Sequence, residues 1–442
     1  MCGPRTEPPT SGRGLTLMPA DLAVIGLGHF GLPLAQAATS AGIGVFGYDT
    51  DQATVDGLNA GRPTTECLSA ADVRRMIAGG FRASADPAGL ARAHTAVICA
   101  PTALGEDRTP DLTAIGDAAR TLAAQLRPHS TVILESPACP GTTEEFVRPI
   151  LEEGSGMRAG RDFHLAYSPS RLDPGNRVYT IANTPKVIGG LTPACTEAAA
   201  AFYSRICERV VRTRGTREAE AVKLMETNYR HVNIALANEM AVFCHDAGID
   251  LWDVIRCAET KPFGFHAFRP GPGVGGHSVP LDPNHLLDQN RQSRTPGQQL
   301  PQLRMVELAR EVNESMPRYV VQRCAALLNE HGKSVRGARV LLLGVTYKAD
   351  LGDQEGAPAR EIGARLLELG AHLSYHDPYV PEWRVHDRVV ERADSLWEAA
   401  SDADLTVLLQ QHRTYDLQGL AVKAQLLLDT RGAAPAGVAA RL

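Results

Sequence analysis

Two stretches of this 442-residue chain carry residue types and spacings that could do chemistry. The first is Gly26-Leu27-Gly28-His29-Phe30-Gly31, which follows the apolar run Leu22 to Ile25 and is answered by Asp49. Glycines in this pattern permit a tight turn, close approach of a pyrophosphate and helix-on-strand packing, while the helix start turns N–H groups and a positive dipole toward the phosphates. Asp49 lies about 20 residues beyond Gly28, the spacing of a carboxylate that holds ribose hydroxyls. It would repel a 2′-phosphate, so the motif predicts NAD rather than NADP. His29 reads as a turn residue of that site and not as a catalyst.

The second stretch pairs a glycine-rich run, Arg269 to Pro283, with a helical segment carrying Lys223, Glu226, Thr227 and Tyr229. A lysine becomes a base only where burial or a nearby cation lowers its pKa. Asp282 could orient Lys223 or a water. Ser278 would need a base to become a nucleophile, and His277 is its sequence neighbour, although adjacent side chains often point apart. Glu226, three residues after Lys223, reads as an intrahelical ion pair with it. His231 and His245 read as packing or surface histidines.

The elements that must hold these residues follow from the apolar runs. Leu22–Ile25, Gly44–Tyr48, Ala96–Ala100 and Thr131–Leu134 alternate with helix-like segments, the pattern of a doubly wound parallel sheet. Arg217 to Ala247 predicts one long helix, and Leu303 to Glu330 one or two more. Arg339 to Leu343 then opens a second strand–turn–helix unit whose next strand ends at Tyr375-His376-Asp377. The chain therefore reads as α/β, two Rossmann-like doubly wound domains joined by helices. The later unit has only Gly344 where the first has three glycines, which is evidence for fold and not for a second cofactor.

Composition narrows the function classes. Hydrophobic residues at 44% and charged residues at 21% suit a chain with a sizeable core, of roughly three domains by length. A net charge of -5 argues against a nucleic-acid partner, and no apolar run has the roughly 18 residues of a membrane span. Residues 1–19 lack the apolar core of a signal peptide and read as a loose tail. The nine cysteines are scattered without a C-x-x-C pair, so they read as free or buried thiols in a reducing cytoplasm, and no metal site is expected.

The run from Arg269 to Pro283 (Arg-Pro-Gly-Pro-Gly-Val-Gly-Gly-His-Ser-Val-Pro-Leu-Asp-Pro) resembles the active-site loop of the UDP-glucose/GDP-mannose dehydrogenase family, in particular its UDP-N-acetylmannosamine dehydrogenase branch. Ala100-Pro101-Thr102, Glu135-Ser136, Ser168-Pro169, Val187 to Gly190, Ala219 to Leu224, Asn233 to Glu239 and Gly344 to Lys348 follow in the family's order. The resemblance implies an NAD domain over 20–212, a helical dimerisation and active-site region over 213–332, and a nucleotide-sugar domain over 333–442. It implies a homodimer, since the central helices would otherwise leave an apolar face uncovered. It also assigns Pro101, Thr102 and Glu135 to the cofactor. Arg171, Leu172, Asn233, Arg269, Gly273, Gly275, Gly276, His277, Tyr347 and Lys348 are assigned to a GDP- or UDP-linked sugar.

Members of that family oxidise a sugar alcohol twice through a thiol, whose thioester is hydrolysed with help from a glutamate. Here Ser278 stands at the thiol position, Ser170 at the glutamate, Thr227 at an asparagine, Pro137 at a threonine, and Glu355 at an arginine. Lys223 and Asp282 are kept. Cys139, beside Pro137, reads as a small packed cysteine rather than a relocated thiol. The lost thiol, glutamate and asparagine all serve acyl formation and hydrolysis, Glu355 reverses a charge near the phosphates, and the surviving lysine and aspartate could serve proton handling in one hydride transfer. The expectation is an NAD-dependent enzyme acting on a nucleotide sugar, redox-neutral overall, catalysing dehydration or epimerisation. The Ala-, Arg- and Gly-rich composition is the habit of a high-GC genome, and the resemblance to altered members of the family implies a setting in antibiotic-sugar biosynthesis, such as that of the lincosamides. The alternatives are a conventional 6-dehydrogenase, a two-electron dehydrogenase releasing an aldehyde or ketone, and a non-catalytic binding partner.

Overall fold

Leu22–Ile25 (β1), Thr95–Ile98 (β4) and Thr131–Leu134 (β5) are buried at every residue, as strands covered on both faces of a parallel sheet must be. The computed structural model describes residues 21–65, 67–104, 110–173, 175–176, 178–276 and 303–442. With Val45–Tyr48 (β2), Arg82–Ser84 (β3), His164–Tyr167 (β6), Lys186–Gly190 (β7) and Val210–Arg212 (β8), these strands form one sheet in the order β8-β7-β6-β5-β4-β1-β2-β3. All its pairings are parallel except β6 with β7. The order reverses between β1 and β4, and that switch point opens a crevice at the carboxyl ends of the strands.

The long helix Thr216–Asp246 packs along a second one, Arg304–Glu330, which runs unbroken through Pro317. Among the described residues no strand lies between Arg212 and Arg339. A second sheet follows, built from Arg339–Leu343 (β9), His372–His376 (β10), Glu391–Arg392 (β11), Leu405–Leu408 (β12), Leu427–Asp429 (β13) and Ala440–Arg441 (β14). Its order is β11-β10-β9-β12-β13-β14, parallel throughout. The chain is thus mixed α/β with two Rossmann-like parallel sheets, as the sequence predicted, and each sheet has apolar cores on both faces.

Candidate active site

The turn after β1 is shaped by its glycines. Gly26 sits at φ +93° and donates its N–H to Tyr48 O at 2.8 Å, and a Cβ there would meet Cys99 O at 2.9 Å. A Cβ on Gly31 would lie 1.9 Å from Gly26 O, so that glycine serves packing and does not face the crevice. Gly28 has nothing within 4 Å of an added Cβ, the open approach a pyrophosphate needs. Among the described residues no side chain caps the helix Gly31–Ser40, which leaves its positive end to a ligand. Asp49 accepts Leu27 N–H at 2.8 Å on one oxygen and Asp51 N–H at 3.0 Å on the other, and each oxygen retains a lone pair for a ribose hydroxyl. These residues fit NAD.

From this turn a cleft of about 1240 Å³ runs to the long helix and on to the second sheet. Of the residues singled out from sequence, Gly26, Gly28, His29, Phe30, Asp49 and Pro101 line one end of it. Arg171, Leu172, Lys223, Thr227, Arg269, Gly273, Gly275, Gly276, Tyr347 and Lys348 line the remainder. Gly276 is pinned there by its N–H, which donates to Glu355 O at 3.0 Å. His277, Ser278 and Asp282 lie outside the described residues.

Other expectations meet a different geometry. Glu135, assigned to the cofactor, turns inward, where it pairs with Lys186 and accepts Tyr203 OH at 2.9 Å. Thr102 spends its hydroxyl on Pro137 O at 3.0 Å, and Asn233 Nδ2 donates to Tyr229 O at 2.7 Å. Ser170 is buried, and among the described residues its Oγ has no hydrogen-bond partner. None of these four residues is in the cleft wall. Glu226 does not pair within its own helix. It reaches Arg171 at 2.6 Å, and Arg171 also donates to Pro185 O at 2.7 Å. Tyr229 leaves the wall to bond His266 Nδ1 at 2.7 Å. Glu355 is exposed and contributes its backbone oxygen.

Sequence reading missed Asp173, Asn176, Arg230 and Arg431, all in the wall. Arg230 was findable, since it follows Glu226 by four residues and so shares its helix face. Arg431 stands just beyond β13, at the carboxyl end of a parallel strand, where ligands of such sheets bind. Its Nε donates to Leu409 O at 2.7 Å, and burial lowers it to about 10 against the pull of Asp429, so it remains cationic at neutral pH. Burial alone would raise the Asp173 carboxyl, but bonds from Lys348 (2.5 Å) and Asn176 hold it below its usual range. Burial likewise pushes the Tyr347 hydroxyl up to about 12, with Asp353 adding to it.

Arg171, Lys223, Arg230, Arg269, Lys348 and Arg431 surround the cleft with positive charge, as a diphosphate requires. Lys223 also has a cationic neighbour. Lys186 is lowered to about 8 by burial, and the Lys223 charge contributes to that shift. Among the described residues the thiol in the wall is Cys99, which burial pushes up to about 12, so it stays protonated and inert. Cys139 is half-buried and outside the wall.

Comparison with known proteins agrees with this geometry. Three parts of the UDP-glucose/GDP-mannose dehydrogenase family match in order: its NAD binding domain over 20–207, its central domain over 217–315 and its UDP binding domain over 341–435. The UDP-N-acetyl-D-mannosamine dehydrogenase of Escherichia coli (strain K12) is 33% identical over 431 residues, covering 93% of this chain and 99% of that protein. An NDP-N-acetyl-D-galactosaminuronic acid dehydrogenase of Ralstonia nicotianae is 32% identical over 427 residues, covering 93% and 95%. The structure of UDP-D-ManNAc dehydrogenase from Pyrococcus horikoshii superposes with a TM-score of 0.84 at 29% identity, covering 95% of this chain and 98% of that one.

Proposed function

We propose that this chain, which belongs to the UDP-glucose/GDP-mannose dehydrogenase family, performs one hydride transfer on a GDP- or UDP-linked sugar without the acid-forming step. The hydride is returned to the sugar from the bound cofactor at the end of the cycle, so turnover is redox-neutral, with loss of water or inversion of a carbon centre in between. Its NAD-binding domain and its parallel-sheet fold are those of the family's dehydrogenases. The observation that carries the finer reading is the division of the site. The dinucleotide turn and Lys223 share one cleft, whereas in the sequence Ser278 and Ser170 occupy the motif positions of the family's thiol and glutamate.

Gly26, Gly28 and Phe30 would hold the pyrophosphate of NAD and Asp49 its ribose, and bound there NAD supplies a hydride acceptor. Arg171, braced by Glu226 and Pro185 O, and the cations Arg230, Arg269, Lys348 and Arg431 bind the diphosphate and orient the sugar. Lys223 Nζ takes the proton of the hydroxyl being oxidised. A carbonyl beside a C–H acidifies that hydrogen, so the same groups can carry elimination or epimerisation with no thioester.

Two copies assemble as a homodimer through the long helix, where Met225, Tyr229, Leu236, Met240 and Phe243 stand exposed along its length. Among the described residues no disulfide joins two cysteines, which suits a reducing cytoplasm. The setting that fits a redox-neutral sugar enzyme is antibiotic-sugar assembly.

The test is incubation with NAD and a panel of UDP- and GDP-sugars in heavy water, followed by mass spectrometry. The expected product has lost water, or has kept its framework and gained deuterium, with no NADH accumulating. A product with one more oxygen and two fewer hydrogens, with two NADH per sugar, would overturn the reading in favour of a conventional 6-dehydrogenase. Absence of any turnover would favour a binding partner.

A further inference from the structure

Glu220 is a carboxylate with no solvent exposure that the chemistry above does not use. It lies on the long helix one turn before Lys223, and it is turned away toward the first domain. One of its oxygens accepts Gly141 N–H at 2.6 Å, and the other accepts both Thr143 N–H at 2.8 Å and Thr143 Oγ1–H at 2.7 Å. These donors open a helix that begins with a π-helical turn, Thr142–Val147, and continues as Arg148–Ser155. The bonding also runs in the other direction. Thr216 Oγ1, at the start of the long helix, donates to Glu144 at 2.5 Å, and Arg217 pairs with Glu145. Gly141 permits the junction, since its φ of +102° is a conformation that a side chain would strain.

We infer that Glu220 is a positioning residue that fixes the roll of the long helix against the NAD-binding domain and so aims Lys223 into the cleft. This inference rests on Lys223 being the group that moves the proton. At about 100° per residue, Thr227 lies within about 20° of Glu220 around the helix and Lys223 within about 60°. A roll of about 20° displaces a side chain some 5–6 Å from the axis by about 2 Å. Misplacement by about 1 Å can cost a reaction about 100-fold. Glu144, Glu145 and Arg217 are exposed or half-exposed and water competes for their contacts, whereas Glu220 accepts three dry bonds at the interface itself.

The test needs no sugar, so its outcome is independent of the panel experiment. Trace acetic anhydride acylates lysine Nζ with loss of acetate and a proton, and peptide mass spectrometry gives the Lys223 rate relative to exposed Lys423. Glu220→Gln puts an N–H against the Gly141 and Thr143 donors. We expect it to change the Lys223 rate ratio by about fivefold or more below its melting temperature, with NAD affinity by calorimetry within about threefold of wild type. Glu220→Asp, which keeps the charge, recovers part of the ratio, and Thr143→Val shifts it in the same direction by less. A wild-type ratio in folded E220Q and in T143V overturns the inference. Should E220Q fail to fold, T143V decides alone.

Discussion

The two Rossmann-like halves begin with the same construction. Gly26 and Gly344 both take positive φ (+93° and +75°) and both donate N–H to the last residue of the neighbouring strand, Tyr48 O at 2.8 Å and His376 O at 3.0 Å. The next residue, Leu27 or Val345, donates to an aspartate oxygen at 2.8 Å, Asp49 in one half and Asp377 in the other. The second aspartate oxygen accepts an N–H two residues on in each case. Beyond this point the halves diverge. Asp49 stays partly exposed in the cleft wall, whereas Asp377 is wholly buried with His412 Nε2 at 3.0 Å. Asp350 N–H donates to His412 Nδ1, so the ring proton sits on Nε2 and points at Asp377.

The helix also departs differently. In the first half it starts at Gly31, directly behind the turn; in the second it starts at Pro358, after a loop that sends Tyr347, Lys348 and Asp353 into the shared cleft. One half therefore offers a helix end and a wet carboxylate to a dinucleotide. The other buries its carboxylate against His412 and offers side chains. A strand–turn–acid unit makes a cofactor site only where the acid keeps lone pairs open to a ligand and a helix start follows at once.

Substitutions can separate the two roles. Asp377→Ala leaves the His412 and Val345 N–H groups unpaired in a dry interior, and we expect a loss of about 3–5 kcal/mol in urea unfolding with NAD affinity unchanged. A parallel fall in affinity would break the comparison. The helical core between the halves has its own signature, in acid. Burial lowers His231 from 6.5 to about 4. The unfolded chain therefore takes up a proton as pH falls through 6.5, and the folded chain does so only near 4. Stability from this group is whole above 6.5 and falls by about 3 kcal/mol as pH approaches 4. His231→Gln should flatten that slope in melting curves.

Asp49→Ala should lower the melting temperature of the ligand-free protein by less than Asp377→Ala does, since Asp49 is partly exposed and no histidine depends on it, and weaken NAD by about 2–3 kcal/mol, on the order of 30- to 150-fold in Kd by calorimetry. Thr346→Gly, which restores a glycine at the position corresponding to Gly28, has the smallest expected effect. Calorimetry should still find one NAD per chain, because the helix start remains remote from the turn.

Much of this was legible in the chain. The β1, β5 and β9 runs predict their strands to the residue, and Arg217–Ala247 differs from the observed long helix by one position at each end, because burial on both faces leaves an apolar signature with little ambiguity. Gly26 was readable because its backbone conformation demands glycine, and Gly28 and Asp49 because the pyrophosphate and ribose of a dinucleotide demand those residue types at that spacing. Glu135, Glu226 and Ser170 were not placed correctly by pattern, since a carboxylate or hydroxyl can turn either way from the same backbone position. Arg431 joins Lys223 across some 200 residues of sequence, and no local spacing encodes that meeting.

The sequence by itself determined the parallel sheets, the glycine turn, the choice of NAD and the family, because each rests on local periodicity or on a residue type without substitute. The tertiary structure decided which charges meet. It turned Glu135 to Lys186, gave Glu226 to Arg171, locked Asp377 while leaving Asp49 open, and set Glu220 against the opening turn of another helix. Those outcomes follow from which polar groups packing leaves dry, and dryness is a property of the folded interior alone.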